Sequence, residues 1–421
     1  MIIKIATLVC LLLAVSVSAE AARWVIKNPK MMVDLAQMGI EKHSDINLKN
    51  HYVVVEVPNS RATAQQIAYA FNADAVFPDI EIRIKNPAED EPEDEKNQAP
   101  DNKGWHVKQL EYAKLNPAYT GQDVIVAVLD TGVDYKHPAL ISKMWKNTAE
   151  IPDNGIDDDG NGLVDDYHGY NFNDNESDPM DLGAHGTHCA GIIAADVHEE
   201  TGAQGIAQDV KIMPLIVISA YDWGFLSGAA KAVKYAVDNG AQVLSNSWRV
   251  YDSWSSFINP EGLELLREAI AYAQEREVIF VAAAGNEAYD LNETNEKDPI
   301  YPLSMKDLPY MVGVASSAPN YNGDGALIDD VLSPFSNTGT QTISVAAPGS
   351  YIYSTIPRGL WTSMSGTSMA TPLVAGAMAR GFSKGYSAQE VIDNLKSTTK
   401  NSGYWSKYIS SGRIDVKGYL E

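Results

Sequence analysis

The chain has 421 residues, of which 45% are hydrophobic, and this supply of apolar side chains excludes a globally disordered protein. The length suits one large domain together with a smaller one. With 55 acidic residues against 32 basic ones, the net charge is -23, which argues against nucleic acid or an anionic membrane as a partner.

The first residues have the pattern of an export signal. Lys4 precedes an apolar run that ends in small residues suited to cleavage after Ala19. The run is too short to span a bilayer, so we expect residues 1–19 to be removed and the protein to be secreted, extracellular or periplasmic, without a membrane anchor. Cys10 would leave with the signal, and Cys189 alone cannot form an internal disulfide. Stability outside the cell must then come from elsewhere, and bound metal is the obvious candidate.

Residues 20–85 are predicted to form a small α+β unit. Apolar runs and alternation predict strands at 24–26, 52–57 and 75–84, and helical spacing predicts helices at 29–38 and 63–71. In the second helix, Gln65 and Gln66 should face outward and Ile67, Ala70 and Phe71 inward. A unit of this size is marginally stable alone, so it needs a partner surface.

An acidic linker follows at residues 86–104. It contains seven acidic residues, two lysines and three prolines, and almost no apolar side chains. Such a segment cannot bury enough surface to fold, so we expect it to be exposed and to contain a processing site. A plain spacer between domains is the alternative interpretation.

Residues 105–421 alternate strands with helices. Strands are predicted at 124–129, 210–217, 241–244, 278–284, 311–315 and 343–346, and helices at 186–195, 227–239, 262–276 and 367–380. The unbroken β-branched run at 124–129 is typical of a strand buried on both faces. The pattern predicts an α/β fold, with a mainly parallel, doubly wound sheet and helices on both faces.

Polar residues that could take part in catalysis or bind a metal lie at the ends of predicted strands and at the starts of predicted helices. Asp130 directly follows the first buried strand, where the site crevice of a doubly wound sheet forms. His185 and His188 open the next helix. Their spacing suits zinc, but no third ligand of the right kind stands nearby, which favours a catalytic base at His185. Taken alone, Asp130 could equally be a cap or turn residue.

Two further residues complete the set. Asn286 follows a strand that ends at Gly285, and its amide could donate to an oxyanion. Ser368 lies where a glycine-rich loop turns into an alanine-rich helix, close to free backbone N–H groups that can receive negative charge. In isolation Ser368 would be interpreted as a helix cap and Asn286 as a turn residue.

Together these segments resemble the signature segments of the subtilisin family of serine proteases. The resemblance covers residues 105 to about 416, with the order Asp130, His185, Asn286, Ser368. It implies that Ser368 attacks the peptide carbonyl, that His185 transfers the proton, and that Asp130 orients and stabilises the imidazole. It further implies that Asn286 and the Ser368 backbone N–H hold the oxyanion.

The resemblance also implies a substrate groove. In the family, strands flank the substrate and extend it as a β-strand, here at 245–249 on one side and about 220–224 on the other. The implied substrate-binding residues are Ser245, Ser247, Trp248 and Gly285. Arg249 stands where many relatives have glycine, and we expect the Trp248–Arg249 pair to reshape the pocket for the residue before the cut. The expected preference is for large apolar side chains.

Two acidic loops are predicted to bind structural calcium. Residues 157–165 fit the start of a DxDxNG loop, whose oxygens at alternate positions converge on one ion, although His168 replaces the usual final glutamate. The ligands predicted there are Asp157, Asp159, Asn161, Leu163 and Asp165. The second run, 171–180, resembles a calcium loop of thermitase-like subtilases, which implies Asn171, Asp174, Glu176 and the carbonyl of Asp178 as ligands. Solvated acidic loops are the alternative for both.

The resemblance to the thermitase and proteinase K branches extends to Cys189 and to the leading unit. Cys189 is expected to be a small buried residue. Residues 20–85 resemble an inhibitory propeptide, whose last strand would run into the active-site groove until cleavage within 86–104 frees the catalytic domain at 105–421. The implied partners are protein or peptide substrates and the chain's own propeptide, and we expect a monomer.

Three other functions are alternatives to a general secreted endopeptidase. An inactive subtilisin-like binding scaffold is disfavoured by the intact set of Asp130, His185, Asn286 and Ser368. An esterase of the α/β-hydrolase type expects G-x-S-x-G with its serine before its histidine, whereas here Ser368 comes last. A protease that processes substrates at paired basic sites stays open as one kind of secreted serine endopeptidase.

Overall fold

The computed structural model describes residues 22–30, 35, 40–57, 64–87, 103–250, 259–294, 299–305, 307–322, 325–401 and 403–421. These residues divide into two compact units, with the division between Pro78 and Asp79. The predicted export signal, most of the helix predicted at 29–38 and residues 88–102 of the acidic linker lie outside the described residues.

The smaller unit is built on one antiparallel sheet. Its strands are β1 Ala22–Lys27, β2 Glu41–Asn47, β3 His51–Val57 and β4 Ala75–Pro78, in the spatial order β2-β3-β1-β4. Helix α1, Ala64–Phe71, contributes Ile67 and Phe71 to a core that also contains Ile26, Val53 and Val55. The inward positions predicted for Ile67 and Phe71 are confirmed, and the unit has the predicted α+β composition.

The larger unit alternates strands and helices along the chain. Its strands are β5 Glu81–Arg83, β6 Ile125–Asp130, β7 Tyr170–Asn171, β8 Lys211–Ile216, β9 Trp223–Phe225, β10 Val243–Asn246, β11 Arg249–Val250, β12 Ile279–Ala283, β13 Met311–Tyr321, β14 Leu327–Leu332, β15 Val345–Pro348, β16 Ile352–Ile356 and β17 Leu360–Met364. Its helices are α2 Trp105–Gln109, α3 His185–Ala194, α4 Leu226–Asp238, α5 Pro260–Gln274, α6 Leu291–Thr294, α7 Thr367–Ser383, α8 Ala388–Ser397 and α9 Val416–Leu420. Short 3₁₀ turns lie at Tyr112–Lys114, Ile141–Lys143 and Trp405–Lys407.

The main sheet has eight strands and is mostly parallel. The order is β14-β13-β12-β10-β6-β8-β7, with β15 also paired to β13. Every pairing is parallel except that of β14, which lies antiparallel at one edge. The central strand β6 is buried along nearly its whole length, which explains its continuous apolar sequence. The predicted α/β fold with a mainly parallel sheet is confirmed.

Helix α7 lies at the centre of this unit and carries Ser368. Its side chains from Thr367 to Gly381 are buried, and it contacts α3, β10, β12 and β13. The alanine-rich sequence of α7 lets neighbouring backbones approach closely, and this suits a helix that is covered on all sides. The parallel strands deliver their carboxyl ends, including those of β6, β10 and β12, to one edge of the sheet. Asp130, Asn286 and the groove residues that follow Asn246 therefore lie close together beside the start of α7.

The sequence missed several short or amphipathic elements. Among them are β2, the hairpin of β16 and β17, and α8. The segment predicted as one strand at 75–84 is two strands, β4 and β5, because Asp79 and Ile80 interrupt it and β5 pairs within the larger unit. In the part of the chain that the structure describes, we find no helix with the length and apolar content needed to cross a bilayer.

Candidate active site

Asp130 and His185 meet at the end of β6 and the start of α3. The Nδ1 atom of His185 lies 2.8 Å and 3.0 Å from the two carboxylate oxygens of Asp130, and both residues are buried. Asp130 also accepts a hydrogen bond from the backbone N–H of Thr131 at 2.7 Å. The pair fixes the imidazole with its other nitrogen, Nε2, directed away from Asp130. Among the described residues, that nitrogen has no hydrogen-bond partner.

The pair has a marked electrostatic effect on the histidine. Burial, the largest single influence, lowers the pKa of His185, but the adjacent Asp130 carboxylate and the Cys189 side chain together outweigh it and raise the pKa of His185 well above its ordinary value. Asp130 therefore stabilises the imidazolium form, which is the form that a general base becomes once it has accepted a proton.

A buried carboxylate that sequence reasoning missed, Asp181, holds this corner together. One oxygen of Asp181 accepts hydrogen bonds from the Thr131 hydroxyl and from the backbone N–H groups of Gly183 and Ala184, at 2.8 to 3.0 Å. The other accepts from the Thr187 N–H at 2.9 Å and the Thr187 hydroxyl at 2.6 Å. Asp181 thus connects the loop after β6 to the first turn of α3. Sequence reasoning did not single it out, although four of its five donors lie two to six residues after it in the chain.

His188 and Cys189 pack behind His185. His188 is fully buried and donates through Nε2 to the Ile352 carbonyl at 3.0 Å, so its role is structural. Burial lowers the pKa of His188 to about 3. Cys189 is buried, as predicted, with its sulfur 3.5 Å from the Ser368 carbonyl and 3.9 Å from Nδ1 of His185. Burial raises the pKa of its thiol.

Ser368 and Asn286 lie side by side at the start of α7. Ser368 is the second residue of the helix, and its hydroxyl donates a weak hydrogen bond to the Ser247 carbonyl at 3.4 Å. The side-chain amide oxygen of Asn286 accepts hydrogen bonds from the Thr367 N–H and hydroxyl, both at 2.9 Å, and this leaves the side-chain NH₂ group of Asn286 turned outward. That NH₂ donates to the Lys85 carbonyl at 2.6 Å. The Asn286 amide thus already holds a peptide oxygen.

Gly285 is required by the backbone at this corner. It has φ +100°, in the region that favours glycine, and a Cβ built on it would lie 2.5 Å from the Asn337 amide nitrogen and 2.7 Å from Glu287. Its N–H donates to the Thr367 hydroxyl at 3.1 Å. Any side chain here would therefore clash with Asn337 and Glu287, beside Asn286.

The predicted groove residues line one channel, and a strand of the same unit lies in it. Strand β5 pairs antiparallel with β9 on one side and with β11 on the other, with Ile82 opposite Gly224 and Arg83 opposite Arg249. These flanking strands overlap the segments expected from the sequence, about 220–224 and 245–249. Beyond β5, the Ile84 N–H donates to the Asp222 carbonyl at 3.1 Å, so the ladder continues toward Asn286.

The pocket beside Lys85 contains residues that the sequence predicted and one that it did not. It is lined by Ser247, Trp248, Gly285 and Glu287, and the Trp248 ring is buried edge-on against Phe280. Glu287 was not anticipated, since it follows Asn286 in a loop of no recognisable pattern. Ser245 lies buried in β10, beneath this surface rather than among the residues that line the pocket. On the far side of Asn286, a cleft of about 420 Å³ lies against His185.

The first acidic loop brings together a different set of carboxylates from the one predicted. Ligand oxygens of Glu150, Asp159 and Asp166 lie within 4.8 Å of one another. In the described structure, Oε2 of Glu150 is buried and has no hydrogen-bond partner. Burial raises the pKa of both Glu150 and Asp166. Three carboxylates facing one another, one with an orphaned buried oxygen, suit a hard divalent cation.

The other ligands predicted in that loop are used differently. Asp157 accepts hydrogen bonds from backbone N–H groups at 160–162, and Asp165 accepts from those of Asn154 and Gly155, all at 2.8 to 3.1 Å. Asn161 donates its side-chain amide to Asp159 and Asp166, at 3.0 and 3.1 Å, so it borders the cluster. The half-buried Leu163 donates its N–H to the Asn161 side chain.

The second acidic loop does not gather its carboxylates. Asp174, Glu176 and Asp178 form no such group of three within the described ranges. Asn171 exchanges two backbone hydrogen bonds with Glu176 and donates its side-chain amide to Asp174 at 3.0 Å. Asp178 accepts from the Tyr135 hydroxyl at 3.1 Å and the Met180 N–H at 3.0 Å. The polar groups of this loop are largely paired with one another.

Known proteins resemble this chain over most of its length. Residues 121–409 match peptidase S8, the subtilase family. Thermitase from Thermoactinomyces vulgaris is 33% identical over 300 residues, which cover 70% of this chain and 88% of thermitase. The chain belongs to the subtilase family. The family inferred from the order of Asp130, His185, Asn286 and Ser368 is therefore confirmed, and this subtilase is a subtilisin-like serine protease.

Other relatives are longer than this subtilase. A thermophilic serine proteinase from Bacillus sp. (strain AK1) is 34% identical over 296 residues, covering 70% of this chain and 61% of that protein. Subtilisin-like protease 1 from Plasmodium falciparum is 30% identical over 302 residues, covering 67% of this chain and 42% of that protein. The chain thus spans less than two thirds of the length of both.

A solved structure has the same fold. The crystal structure of fervidolysin from Fervidobacterium pennivorans, a keratinolytic enzyme related to subtilisin, matches with a TM-score of 0.68 and 22% identity. The match covers 96% of this subtilase and 61% of the fervidolysin chain. At this identity the likeness establishes the fold of this subtilase and nothing finer.

Proposed function

We propose that this subtilase is a secreted serine endopeptidase that hydrolyses peptide bonds through an acyl-enzyme. In this mechanism His185 takes the proton of Ser368 as the hydroxyl attacks the carbonyl carbon, and then gives that proton to the leaving amine. The observation that carries the proposal is the contact of 2.8 Å between Asp130 and Nδ1 of His185, which leaves Nε2 available for the serine proton.

Asn286 and the start of α7 are proposed to stabilise the oxyanion. The Asn286 NH₂ is aimed by two hydrogen bonds to the opposite end of its amide, so it needs no reorientation when charge develops. The N-terminus of α7 adds backbone N–H groups at Ser368. Loss of one such donor typically costs roughly 10² to 10³-fold in turnover, so Asn286→Ala should lower kcat by that amount.

The deciding experiment compares the wild type with Ser368→Ala. Wild-type protein should hydrolyse casein and react with a fluorophosphonate probe, whereas Ser368→Ala should do neither. An inactive binding scaffold would leave both proteins unlabelled. Hydrolysis that survives in Ser368→Ala would assign the activity to another residue or to a contaminant.

The leading residues are proposed to act as an intramolecular inhibitor of a zymogen. The support is β5, whose pairing with β9 and β11 fills the channel that a substrate strand would need. Activity of freshly folded protein should therefore appear only after a lag, as the chain is cut and the leading fragment degraded. Full activity from the first second in uncut protein would contradict inhibition. Mass spectrometry of protein recovered from the culture medium would test removal of residues 1–19.

Calcium is proposed as a structural ion at Glu150, Asp159 and Asp166. Oxygen donors of this kind suit calcium, and the orphaned Glu150 oxygen offers an acceptor without a donor. When bound, calcium would neutralise the mutual repulsion of three carboxylates and tie the acidic loop to the body of the domain. Asn161 borders this group, whereas Asp157 and Asp165 would shape the loop through their backbone hydrogen bonds.

A further inference from the structure

The strand in the groove indicates where this protein cuts itself and what it selects. Resting on the proposed protease function, we infer that the first self-cleavage breaks the Lys85–Asn86 bond, and that Glu287 selects a basic residue before the cut. The sequence had placed the processing site within residues 86–104 without identifying the bond. It had also led us to expect a preference for large apolar residues.

The first argument is the position of the Lys85 carbonyl. An oxyanion donor binds the carbonyl that is attacked, so the residue whose oxygen it holds is the one before the scissile bond. The Asn286 NH₂ donates to the Lys85 oxygen at 2.6 Å, and Ser368 lines the same pocket as Lys85. The next residue, Asn86, instead lines the cleft that contains His185. The Lys85–Asn86 bond therefore crosses from one side of the catalytic groups to the other.

The register of the strand fixes this placement. With Ile82 opposite Gly224 and Arg83 opposite Arg249, the chain has no freedom to slide by one residue without breaking both ladders. Gly224 also cannot be replaced without a clash, because a Cβ there would lie 1.9 Å from the Val217 carbonyl. A shift of one residue would put Ile84 or Asn86 against Asn286 and turn every side chain to the opposite face.

The reaction at this bond is an ordinary hydrolysis. The Ser368 oxygen bonds to the Lys85 carbonyl carbon, and the hydroxyl proton passes to His185. The carbon–nitrogen bond to Asn86 then breaks as His185 protonates the new amine. Water adds to the acyl group, its proton passing to His185 and back to Ser368, and a fragment ending in the Lys85 carboxylate leaves.

The second argument is the charge in the pocket. The Glu287 side chain is only 3% exposed, and its Oε1 atom lies 3.5 Å from the Lys85 ammonium. That oxygen has no hydrogen-bond partner among the residues described, whereas Oε2 accepts from the Asn337 amide at 2.7 Å. Arg249 lies 3.3 Å from the same Oε1. One buried acceptor thus faces two cations, and Trp248 provides an apolar wall for the lysine stem.

The closing experiment has two arms. In the first, folding of full-length wild type is followed by intact mass at early times. We expect a leading fragment ending at Lys85 and a partner beginning at Asn86, slowed at least tenfold by Lys85→Glu but unchanged by Lys108→Glu, an exposed lysine on α2. A protein that reacts with fluorophosphonate but makes its first cut elsewhere overturns this inference alone. A protein neither labelled nor cut overturns the protease function with it.

In the second arm, the processed enzyme cleaves peptides of sequence 79–91 with Lys, Arg or Met at the position of Lys85. Lys and Arg should be cleaved faster than Met. Glu287→Gln should lower the Lys:Met ratio of kcat/KM by roughly two- to fivefold, the range for a partly exposed ion pair. Arg249→Gln should raise that ratio, since it removes the competing cation, and Glu293→Gln, an exposed control, should not move it. Equal cleavage of Met and Lys, with no response to Glu287→Gln, would refute the selection.

Discussion

Two groups of buried carboxylates in this subtilase differ in what surrounds them. Around His185, Asp130 and Asp181 accept hydrogen bonds from nearby donors, and the two oxygens of Asp181 share five. In the acidic loop, Glu150 and Asp166 face Asp159, and one buried Glu150 oxygen lacks a donor in the described structure. A carboxylate supplied with donors can hold its neighbours in place by itself. Carboxylates that face one another repel, so a bound cation would stabilise them.

The largest expected effect is at the first group, in Asp130→Asn. An amide cannot stabilise the imidazolium of His185 and favours the wrong tautomer, so kcat/KM for peptide hydrolysis should fall by roughly 10⁴-fold. The melting temperature should change little by comparison. A loss of less than tenfold would show that the contact between Asp130 and His185 is structural only.

Asp181→Asn should have the next largest effect. The substitution turns one acceptor into an NH₂ group that faces N–H donors, which costs roughly 1–3 kcal/mol of stability and loosens the first turn of α3. We expect kcat to fall by about one to two orders of magnitude with little change in KM, because His185 and not the groove is displaced. Asp393→Asn, at an exposed position of α8, is the matched control. Unchanged kcat in a destabilised Asp181 variant would separate folding from positioning.

The pH profile tests the same group through its charge. Asp130, together with Cys189, outweighs the effect of burial and raises the pKa of His185. The base works only when neutral, so kcat/KM should rise as pH increases through that raised pKa. The midpoint of the acid limb should lie above 6.5, with a tenfold fall per pH unit below it. Because the pair is buried, added salt should barely shift the midpoint. A midpoint at or below 6.5 would mean that burial prevails over Asp130.

The difference between the two groups also explains what the sequence could predict. Asp130 ends a strand, whereas His185 and Ser368 lie at the starts of helices, and local patterns place such ends well. Glu287 gains its surroundings from distant segments, and Glu150 meets Asp166 only through the fold of the loop between them, so no local pattern encodes those contacts. The same holds for β2, whose sequence offers few apolar residues and which pairs only because β3 lies beside it. Asp181 differs, since four of its five donors lie within six residues of it. Spacing in the acidic loop suggested Asp159, which does lie in the cluster of carboxylates, but not its companions Glu150 and Asp166.

Removal of calcium by a chelator should destabilise the protein through the second group, Glu150, Asp159 and Asp166. Using Ser368→Ala to prevent self-digestion, we expect EDTA to lower the melting temperature by roughly 5 °C, as follows from about 2.7 kcal/mol for an ion present at a hundred times its Kd. In wild type, chelation should also speed self-digestion. Added calcium, but not sodium at equal ionic strength, should restore the melting temperature. An identical melting curve with and without chelator would contradict the proposed structural calcium.

The smallest expected effect is the one that separates the two acidic loops. Asp159→Asn removes a charge from the converging cluster, so it should abolish most of the calcium-dependent change in melting temperature. Asp174→Asn acts in the second loop, where Asn171 already donates to Asp174 and the carboxylates do not converge, so the calcium response should stay within about 1 °C of the parent. If Asp174→Asn instead halves the response, the second loop rearranges to bind an ion. Paired hydrogen bonds would then be a poor guide to which carboxylates need a cation.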